Sequence, residues 1–512
     1  MSMINISNLT FAYDGSFDNV FENVNIQLDT DWKLGLTGRN GRGKTTLLRL
    51  LMGKYEYKGS IFSSVEFEYF PFEIEDKSKL TYEVADEICP DYEYWKLARE
   101  LNYLEVNEEV LYRPFNTLSN GERTKVMIVL LFIKDNRFLL IDEPTNHLDI
   151  DGRRIVSKYL NSKKGFILVS HDRAFLDGCA DHIISINRSD ITVTKGNFSQ
   201  WLENKERQDN FELAENEKLK KGIKRLEKTA RQKSEWADRS ESKKIGFDPT
   251  KTEKSISRRA YEGAKSKKMM KRSKQIEQRS YRAVEEKSKL LKNLEREDDL
   301  KIAPLEYVKS TLAEFENVAI SYGGRTVCSN VSFKIEKGDR IALCGKNGSG
   351  KSSIIKLLCG NDIDYVGRVS VGSGLVISYV PQETDSLSGN LKDYAEKMNI
   401  DESLFKAILR KLDFQRSQFD KNIEDFSGGQ KKKVLIAASL CQKAHLYIWD
   451  EPLNFIDVIS RIQIEKLINN FNPTMIFVEH DAAFCENTAN KTVVLQNKCY
   501  SNGLYKNCWE DY

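Results

Sequence analysis

Two glycine-rich stretches of this chain carry the residue types and the spacing of a phosphate-binding loop. In the first stretch, Gly38 is followed by four residues and then by Gly43, Lys44 and Thr45. Glycines at this spacing let backbone N–H groups point at a triphosphate, while the lysine reaches the β and γ phosphates and the hydroxyl group is offered to Mg²⁺. The pattern therefore predicts binding of a nucleoside triphosphate with its magnesium ion.

The second stretch repeats this pattern, and its lysine, Lys351, lies 307 residues after the first. Each loop follows a short apolar run and precedes an aliphatic segment, which predicts a buried strand before the loop and a helix after it. The N-terminus of that helix adds a partial positive charge for the phosphates. The predicted nucleotide-binding residues of the two loops are Gly38, Asn40, Gly41, Gly43, Lys44, Thr45, Thr46, Gly345, Asn347, Gly348, Gly350, Lys351, Ser352 and Ser353.

Four further landmarks recur along the chain at nearly the same offset. "LSNGE" at Ser119 returns as "FSGGQ" 308 residues later, and "FLLIDEP" at Asp142 returns as "LYIWDEP", again 308 residues later. "LVSHD" at His171 returns as "FVEHD" 309 residues later, and Tyr13 recurs as Tyr322 at the same spacing. Constant offsets indicate one domain present twice, with almost no insertions between the landmarks.

Composition sets the bounds on domain number and class. A chain of 512 residues, 40% of them hydrophobic, can build about three domains with packed cores. Its longest apolar run, eight residues from Val126, is far below the ~18 residues of a membrane-spanning helix, and no secretory signal is visible. The nine cysteines include no C-x-x-C pair, which argues against zinc and iron–sulfur sites. We therefore expect a cytoplasmic protein without a membrane partner.

A phosphate loop, an LSGGE-like signature, an apolar strand ending in Asp-Glu and a downstream histidine, in this order, resemble the ATP-binding cassette ATPases. The resemblance covers both halves of the chain. It implies an α/β fold with two tandem ATP-binding cassette domains, each with an α/β core, an antiparallel β subdomain and a helical subdomain that carries the signature. The implied first cassette spans 1–200 and the second spans 306–512.

In cassette proteins the phosphate loop of one half faces the signature of the other half, so the resemblance implies a monomer with intramolecular pairing of its cassettes and two composite ATP sites. The first composite site would combine Lys44, Thr45, Asp142, Glu143 and His171 with Ser427, Gly428 and Gly429. The second composite site would combine Lys351, Ser352, Gln382, Asp450, Glu451 and His480 with Ser119 and Gly121.

The resemblance also implies a role for each polar side chain. Asp142 and Asp450 end apolar strands and are expected to hold Mg²⁺, partly through water, together with Thr45, Ser352 and Gln382. Oxygen-bearing groups of this kind are the ligands that Mg²⁺ prefers. The signature serine and glycine amides would close the far side of the nucleotide and spread the developing charge.

Four residues are the predicted catalytic groups. Glu143 and Glu451 each follow the strand aspartate, where a carboxylate can polarise the attacking water. His171 and His480 are placed to contact the γ phosphate and to orient that water.

Some positions depart from the family pattern or allow two interpretations. The first half has Phe72 where the second has Gln382, and phenylalanine cannot ligate a metal. The first signature has Asn120 in place of a glycine. We therefore expect two nucleotide sites that hydrolyse ATP at unequal rates. Tyr13 and Tyr322 could stack on adenine or serve only in packing.

The segment 201–305 differs from both halves in charge and in pattern. Residues 221–280 include 20 lysines and arginines against 8 acidic residues, a net charge of +12, whereas the rest of the chain carries −9. Such a surplus is typical of a phosphate-binding surface. Apolar residues at helical spacing flank the interruption at 241–258, which predicts a basic α-helical hairpin linker with its tip there. A solvated charged linker is the alternative. The candidate RNA contacts are Lys243, Lys244, Ile245, Phe247, Lys251, Arg258 and Arg259.

Two cassettes joined by a basic helical hairpin resemble the ABC-F proteins, and stretches such as "FELAENEKLKK" and "LYIWDEPLNF" resemble their Lsa-type branch. The resemblance implies an ATPase that binds the 70S ribosome at the tRNA exit site, with its linker on P-site tRNA and near the peptidyl transferase centre of 23S rRNA. It also implies protection of the ribosome against lincosamides, streptogramin A and pleuromutilins, with ATP hydrolysis driving release. Such RNA is recognised through phosphates, 2′-hydroxyls and shape.

Three alternatives remain open at this point. An ABC-F translation factor would rescue stalled ribosomes without conferring drug resistance. The ATPase subunit of an ABC transporter would need a membrane partner, which the linker and Phe72 argue against. A DNA-repair or chromosome ATPase would have zinc-ligand cysteines or a far longer coiled coil.

Overall fold

A computed structural model of the chain describes residues 2–15, 19–134, 136–146, 148–187, 190–212, 304–323, 325–346, 348–385 and 387–495, with single positions between 214 and 282. The chain divides into two compact units, one formed by Met1–Ser199 with Glu297–Tyr512 and the other by Gln200–Arg296. The predicted site residues that lie outside the described residues are Asn347, Lys243, Lys244, Ile245, Phe247, Lys251, Arg258 and Arg259.

The first half of the chain is built on a six-stranded sheet in the order β5-β6-β7-β3-β8-β9. Neighbouring strands are parallel except for the edge pair β8 and β9. The inner strands β6 and β7 are almost continuously apolar and buried, as expected for a parallel sheet covered on both faces, whereas the edge strands β5 and β9 include polar residues. The strands are β3 Lys33–Gly38, β5 Glu66–Phe70, β6 Arg137–Asp142, β7 Phe166–Val169, β8 His182–Ile186 and β9 Ile191–Lys195.

The second half repeats this sheet with five strands, all parallel, in the order β14-β15-β16-β12-β17. The strands are β12 Arg340–Cys344, β14 Ile377–Val380, β15 Leu446–Asp450, β16 Met475–Val478 and β17 Lys491–Val494. In both halves the strand before the phosphate loop lies between two parallel neighbours. The loop and the residues that follow the neighbouring strands therefore meet at the carboxyl edge of the sheet.

Each half also has a three-stranded antiparallel sheet, in the orders β2-β1-β4 and β11-β10-β13. Their inward-facing aliphatic and aromatic side chains pack against the central sheet and the helix after the phosphate loop, forming one buried core in each half. The strands are β1 Met3–Phe11, β2 Phe21–Asp29, β4 Lys58–Phe62, β10 Thr311–Tyr322, β11 Arg325–Glu336 and β13 Tyr365–Val371.

The helices occur in matching order in the two halves. In the first half they are Lys44–Leu51, Thr81–Ile88, Tyr94–Tyr103, Asn120–Ile133, Ile150–Asn161 and Arg173–Cys179, with 3-10 turns at Glu108–Tyr112 and Phe115–Thr117. In the second half they are Lys351–Leu358, Leu391–Lys397, Glu402–Lys411, Gly428–Cys441, Val458–Phe471 and Ala482–Thr488, with 3-10 turns at Arg416–Gln418 and Ile423–Asp425. The predicted fold class of two tandem α/β cassettes is thereby confirmed.

The two helices that begin at the signature, Asn120–Ile133 and Gly428–Cys441, are here called the signature helices. Each is capped by its signature serine. Ser119 Oγ accepts from the backbone N–H of Glu122 over 3.2 Å, and Glu122 Oε2 accepts from the Ser119 N–H over 2.8 Å. Ser427 and Gln430 form the same reciprocal pair. This capping box fixes where each helix starts and thus where the signature amides lie.

Within the second unit, residues 200–212 are helical, and so is every described position from 214 to 235 and from 264 to 282. Its exposed basic side chains include Lys218, Lys221, Arg225, Lys228, Lys267, Lys268, Lys271, Arg272, Lys274 and Arg282. The hairpin, its tip at 241–258 and the domain boundaries stay predictions. Over the described part of the chain, no helix combines the length and the apolar character that a membrane crossing requires.

Candidate active site

The two phosphate loops leave the ends of β3 and β12 and turn directly into helices. Gly43 and Gly350 stand at the helix starts with φ of 93° and 90°, in the left-handed region that favours glycine. A Cβ at Gly43 would also come within 2.7 Å of Val20, so only glycine fits this turn. Lys44 Nζ donates to Gly38 O over 2.7 Å, which keeps its ammonium group over the loop.

The loop hydroxyl groups meet the strand aspartates that the sequence assigns to Mg²⁺. Thr45 Oγ1 donates to Asp142 Oδ2 over 3.0 Å, and Ser352 hydrogen-bonds Asp450. Asp450 Oδ1 is buried and has no hydrogen-bond partner among the described residues, so it has a free lone pair for a ligand. A hydroxyl and a carboxylate oxygen with room for water are a donor set that suits Mg²⁺. The residues present therefore fit the ion.

Each predicted catalytic glutamate lies beside its predicted histidine. Glu143 Oε1 is 3.2 Å from His171 Nε2, and Glu451 Oε1 is 3.4 Å from His480 Nε2. Both glutamates have a left-handed backbone, with φ of 53° and 47°. This conformation is costly for a residue other than glycine and is typical of functional sites.

The two carboxylates nevertheless differ in protonation. Burial raises the pKa of Glu143 to about 8, and the neighbouring Asp142 charge adds to the rise. Burial also acts to raise the pKa of Glu451, but a hydrogen bond and the charge of His480, together with Asn454, bring it down to about 2. At neutral pH the second site thus holds an ionised carboxylate, the form that can take a proton from water.

The position of Gln382 marks a second difference between the halves. Gln382 Nε2 donates to Glu451 Oε2 over 2.8 Å, so the two side chains meet. Phe72, the matching residue of the first half, instead lines a cavity of about 580 Å³ together with Asp142 and Glu143. The first half therefore has no polar group at this position.

Tyr13 and Tyr322 lie beside the phosphate loops. Tyr13 OH is 2.6 Å from Thr46 Oγ1, and Tyr322 OH donates to Ser353 Oγ over 3.2 Å. Both rings are about half exposed, at 44% and 48%. The Tyr13 ring packs edge-on against Phe11 and Tyr55, and the stacking role of both tyrosines stays a prediction.

The second composite site is an open cavity of about 1090 Å³ between the two halves. The first half contributes its signature to the lining and the second half its phosphate loop. Its lining includes Ser119, Asn120, Gly121, Gly348, Gly350, Lys351, Ser352, Ser353, Gln382, Glu451 and His480.

The first composite site is closed by direct contacts between the halves. Asn40 Nδ2 donates to Phe455 O over 2.7 Å, and a Cβ added to Gly429 would lie 3.0 Å from Asn40 Nδ2. Arg42 Nη2 reaches Asp413 Oδ2 over 3.4 Å. The phosphate loop of the first half and the signature of the second half are therefore adjacent, with Asn40 close to both Gly429 and Phe455.

Comparisons with known proteins agree with this architecture. The family model described as "ABC transporter" matches residues 21–146 and 328–454, one match in each half. Each half of the chain therefore contains one ATP-binding cassette domain. The ribosome protection protein VmlR of Bacillus subtilis is 28% identical over 97% of this chain and 86% of its own length. The energy-dependent translational throttle protein EttA of Haemophilus influenzae is 27% identical over 92% and 88%.

Solved structures agree on the fold. An archaeal ribosome recycling factor, aABCE1, has a TM-score of 0.64 at 19% identity over 96% of this chain and 88% of its own. A structure titled RNase-L Inhibitor has a TM-score of 0.63 at 20% identity over the same shares. The cassette domain matched in each half makes this chain an ATPase.

Several polar contacts between and within the two cassettes were not predicted from the sequence. Arg153 Nη1 donates to Asp172 Oδ2 over 2.7 Å and to His480 O of the other cassette over 3.0 Å. Arg461 and Asp481 form the equivalent pair in the second cassette, at 2.8 Å. The signal that could have found them is the offset of 308 or 309 residues at which arginine and aspartate recur.

Proposed function

We propose that this chain is a ribosome-binding ATPase that closes its cassettes around ATP and leaves the ribosome after hydrolysis. The observation that carries the proposal is the alignment with VmlR, named a ribosome protection protein, which covers 97% of this chain. An alignment of that length takes in the linker as well as both cassettes. A relative that shared only the ATPase chemistry would match the cassettes alone.

The residues at the second composite site support a water-attack mechanism. In this proposal the ionised Glu451 would polarise water, His480 would orient it, and Lys351 would neutralise the phosphates. Thr45 with Asp142, and Ser352 with Asp450, would hold Mg²⁺. When bound, the ion neutralises charge on the phosphates. The signature helix amides at Ser119 and Ser427 would close over the γ phosphate.

The linker supplies the proposed contact with RNA. We infer that the 70S ribosome is engaged at the tRNA exit site, with the linker on P-site tRNA and its tip near the peptidyl transferase centre of 23S rRNA. The support is the net charge of +12 over 221–280 and the exposed basic side chains at its described helical positions. A monomer suffices, because both halves of each ATP site come from one chain.

The hydrolysis-and-release scheme is tested with the double variant Glu143→Gln and Glu451→Gln. Glutamine keeps the side-chain size but cannot act as a base, so ATP should bind and the closed protein should stay on the ribosome. We expect the variant to cosediment with 70S ribosomes at least about tenfold more than the wild type when ATP is supplied. Binding equal to that of the wild type, or binding without ATP, would contradict the scheme.

Ribosome protection against lincosamides, streptogramin A and pleuromutilins is the finer proposal. It is tested by expressing the chain in a sensitive host and measuring inhibitory concentrations for lincomycin, a streptogramin A and tiamulin. The double variant Lys44→Ala with Lys351→Ala, which should not bind ATP, is the matched control for the burden of expression. Unchanged inhibitory concentrations would favour the second candidate, a translation factor for stalled ribosomes, which the 27% identity with EttA supports.

A further inference from the structure

Lys432 is a buried lysine that the nucleotide chemistry above does not use. It lies on the signature helix Gly428–Cys441, and its side chain is only 2% exposed. Its Nζ donates to Pro381 O over 2.9 Å and to Glu451 O over 3.1 Å. Each carbonyl lies one residue beyond the end of β14 or β15, which pair in parallel. One ammonium group thus joins two neighbouring segments of main chain.

Both joined segments carry a side chain of the second composite site. Gln382 directly follows Pro381, and its Nε2 donates to the carboxylate of Glu451 over 2.8 Å. The left-handed backbone of Glu451, with φ of 47°, persists only where surrounding contacts hold it. The bond from Lys432 to the Glu451 carbonyl is one such contact, and the bond from the Glu451 N–H to Val478 O, at 3.0 Å, is another.

The first cassette provides an internal comparison, because the matching position of its signature helix is Thr124. Thr124 Oγ1 donates to Asn120 O within its own helix, over 2.9 Å, and makes no equivalent bridge among the described residues. The cassette fold therefore does not require a lysine at this position. The first cassette also has Phe72 in place of Gln382, so the lysine and the glutamine occur together.

The second cassette also carries a buried acid that offsets the lysine charge. Burial lowers the pKa of Lys432 to about 8, and the carboxylate of Glu479 is the largest contribution that opposes this fall. Glu479 accepts from the backbone N–H of His480 over 2.9 Å, next to the predicted catalytic histidine. The first cassette has Ser170 at this position. A buried charge is retained at a cost, and here both charges adjoin the site.

We propose that Lys432 is a positioning residue for ATP hydrolysis in the second composite site, where it fixes the main chain at Gln382 relative to that at Glu451. This rests on the proposed role of Glu451 in hydrolysis. Both hydrogen bonds of Lys432 Nζ go to main-chain carbonyl groups, and neither goes to a residue that is predicted to bind phosphate. Its removal should therefore lower turnover while leaving the affinity for ATP unchanged.

The experiment places Lys432→Met in two backgrounds and measures ribosome-free ATPase kinetics on the full chain. E143Q keeps the predicted catalytic glutamate of the second composite site alone, and E451Q keeps that of the first alone. With E143Q, we expect K432M to lower kcat about tenfold or more while KM changes less than about twofold, because a small misplacement of reacting groups is costly. With E451Q, we expect K432M to change kcat by less than about twofold.

Lys431→Met is the matched control, because it removes a neighbouring lysine from the same helix turn. Lys432→Gln keeps a hydrogen-bond donor and should lose less kcat than K432M, and it serves as the second variant if K432M does not fold. Equal losses in both backgrounds would assign Lys432 a general structural role and overturn the proposal, as would an unchanged kcat with E143Q. If E143Q alone had no turnover, the role of Glu451 would fail first, and that result is visible before K432M is added.

Discussion

At the scale of single residues, the two composite sites are not equivalent although their loops are nearly the same. Glu451 is ionised and hydrogen-bonded to Gln382, while Glu143 has a pKa near 8 and faces Phe72 across a cavity. The difference at Phe72 is visible in the sequence. The difference in protonation is not, because it depends on which groups folding brings around each carboxylate.

Gln382→Phe copies the first cassette into the second and tests this asymmetry. In the E143Q background, we expect a loss of kcat of about tenfold or more, because the hydrogen bond to Glu451 and a predicted magnesium ligand are both removed. Steady-state ATPase kinetics at saturating Mg²⁺ give the measurement. Phe72→Ala is the matched control and should leave the rate in that background within about twofold. A Q382F variant with full turnover would refute a role for Gln382.

At the scale of elements, the helical subdomain of the first cassette is attached to the core by a buried acid. Glu100 Oε2, on helix Tyr94–Tyr103, accepts from Tyr159 OH over 2.8 Å and from Lys163 Nζ over 2.5 Å. Burial acts to raise the pKa of Glu100, but these hydrogen bonds outweigh it and the pKa is lowered overall. The ionised form is therefore the one that the fold stabilises.

Glu100→Gln should lower the melting temperature at pH 7 by about 3–8 °C, since a charged hydrogen-bond acceptor is lost. Because the folded-state pKa lies below the ordinary value of about 4.3, the stabilisation is complete above that value and is lost as the pH falls through the folded-state pKa. The difference between variant and wild type should therefore shrink towards zero under acid conditions. Melting curves from pH 7 to pH 3 measure it, and a difference independent of pH would contradict this account.

Elements were largely predictable where local signals exist. The apolar runs that end at Asp142 and Asp450 correctly predicted two strands, and the glycine loops correctly predicted the helices that follow them. The capping boxes at Ser119 and Ser427 follow the S-x-x-E/Q rule. The two serines were predicted only to contact the nucleotide, and not to cap their helices. The bridge from Lys432 had no local signal, because it joins positions 51 and 19 residues away.

At the scale of the whole molecule, an ion pair without a counterpart links the cassettes. Arg173, two residues after the predicted catalytic His171, pairs with Glu465 of the second cassette, and both side chains are nearly buried. The position that matches Arg173 in the second cassette is Ala482. This contact therefore ties the surroundings of one histidine to the opposite half.

Arg173→Ala and Glu465→Ala should each lower the melting temperature, because each leaves a buried charge unpaired. The double variant should lose less than the sum of the two, with a coupling of about 1–3 kcal/mol in chemical denaturation. Exposed Arg207→Ala is a suitable control for loss of an arginine, since its ion pair with Glu203 lies at the surface. Strictly additive losses would show that the pair does not couple the cassettes.

The basic linker predicts ribosome binding that weakens steeply with salt. If about five phosphates are neutralised, a plot of log affinity against log salt should have a slope on the order of −4. Cosedimentation of the double glutamine variant with ATP, from 50 to 300 mM KCl as a rough range, measures it. A slope near zero would reduce the linker to a spacer between cassettes.

The open cavity at Lys351 and the contact of Asn40 with Phe455 have a consequence for the order of events. If both sites bind ATP as proposed, the nucleotide would enter the second composite site directly, whereas the first would have to give up the contact of Asn40 with Phe455. Uptake should then show two phases, the faster one independent of residue 40. Asn40→Ala would accelerate only the slower phase. The time course of binding of a fluorescent ATP analogue would therefore show which composite site takes up the nucleotide first.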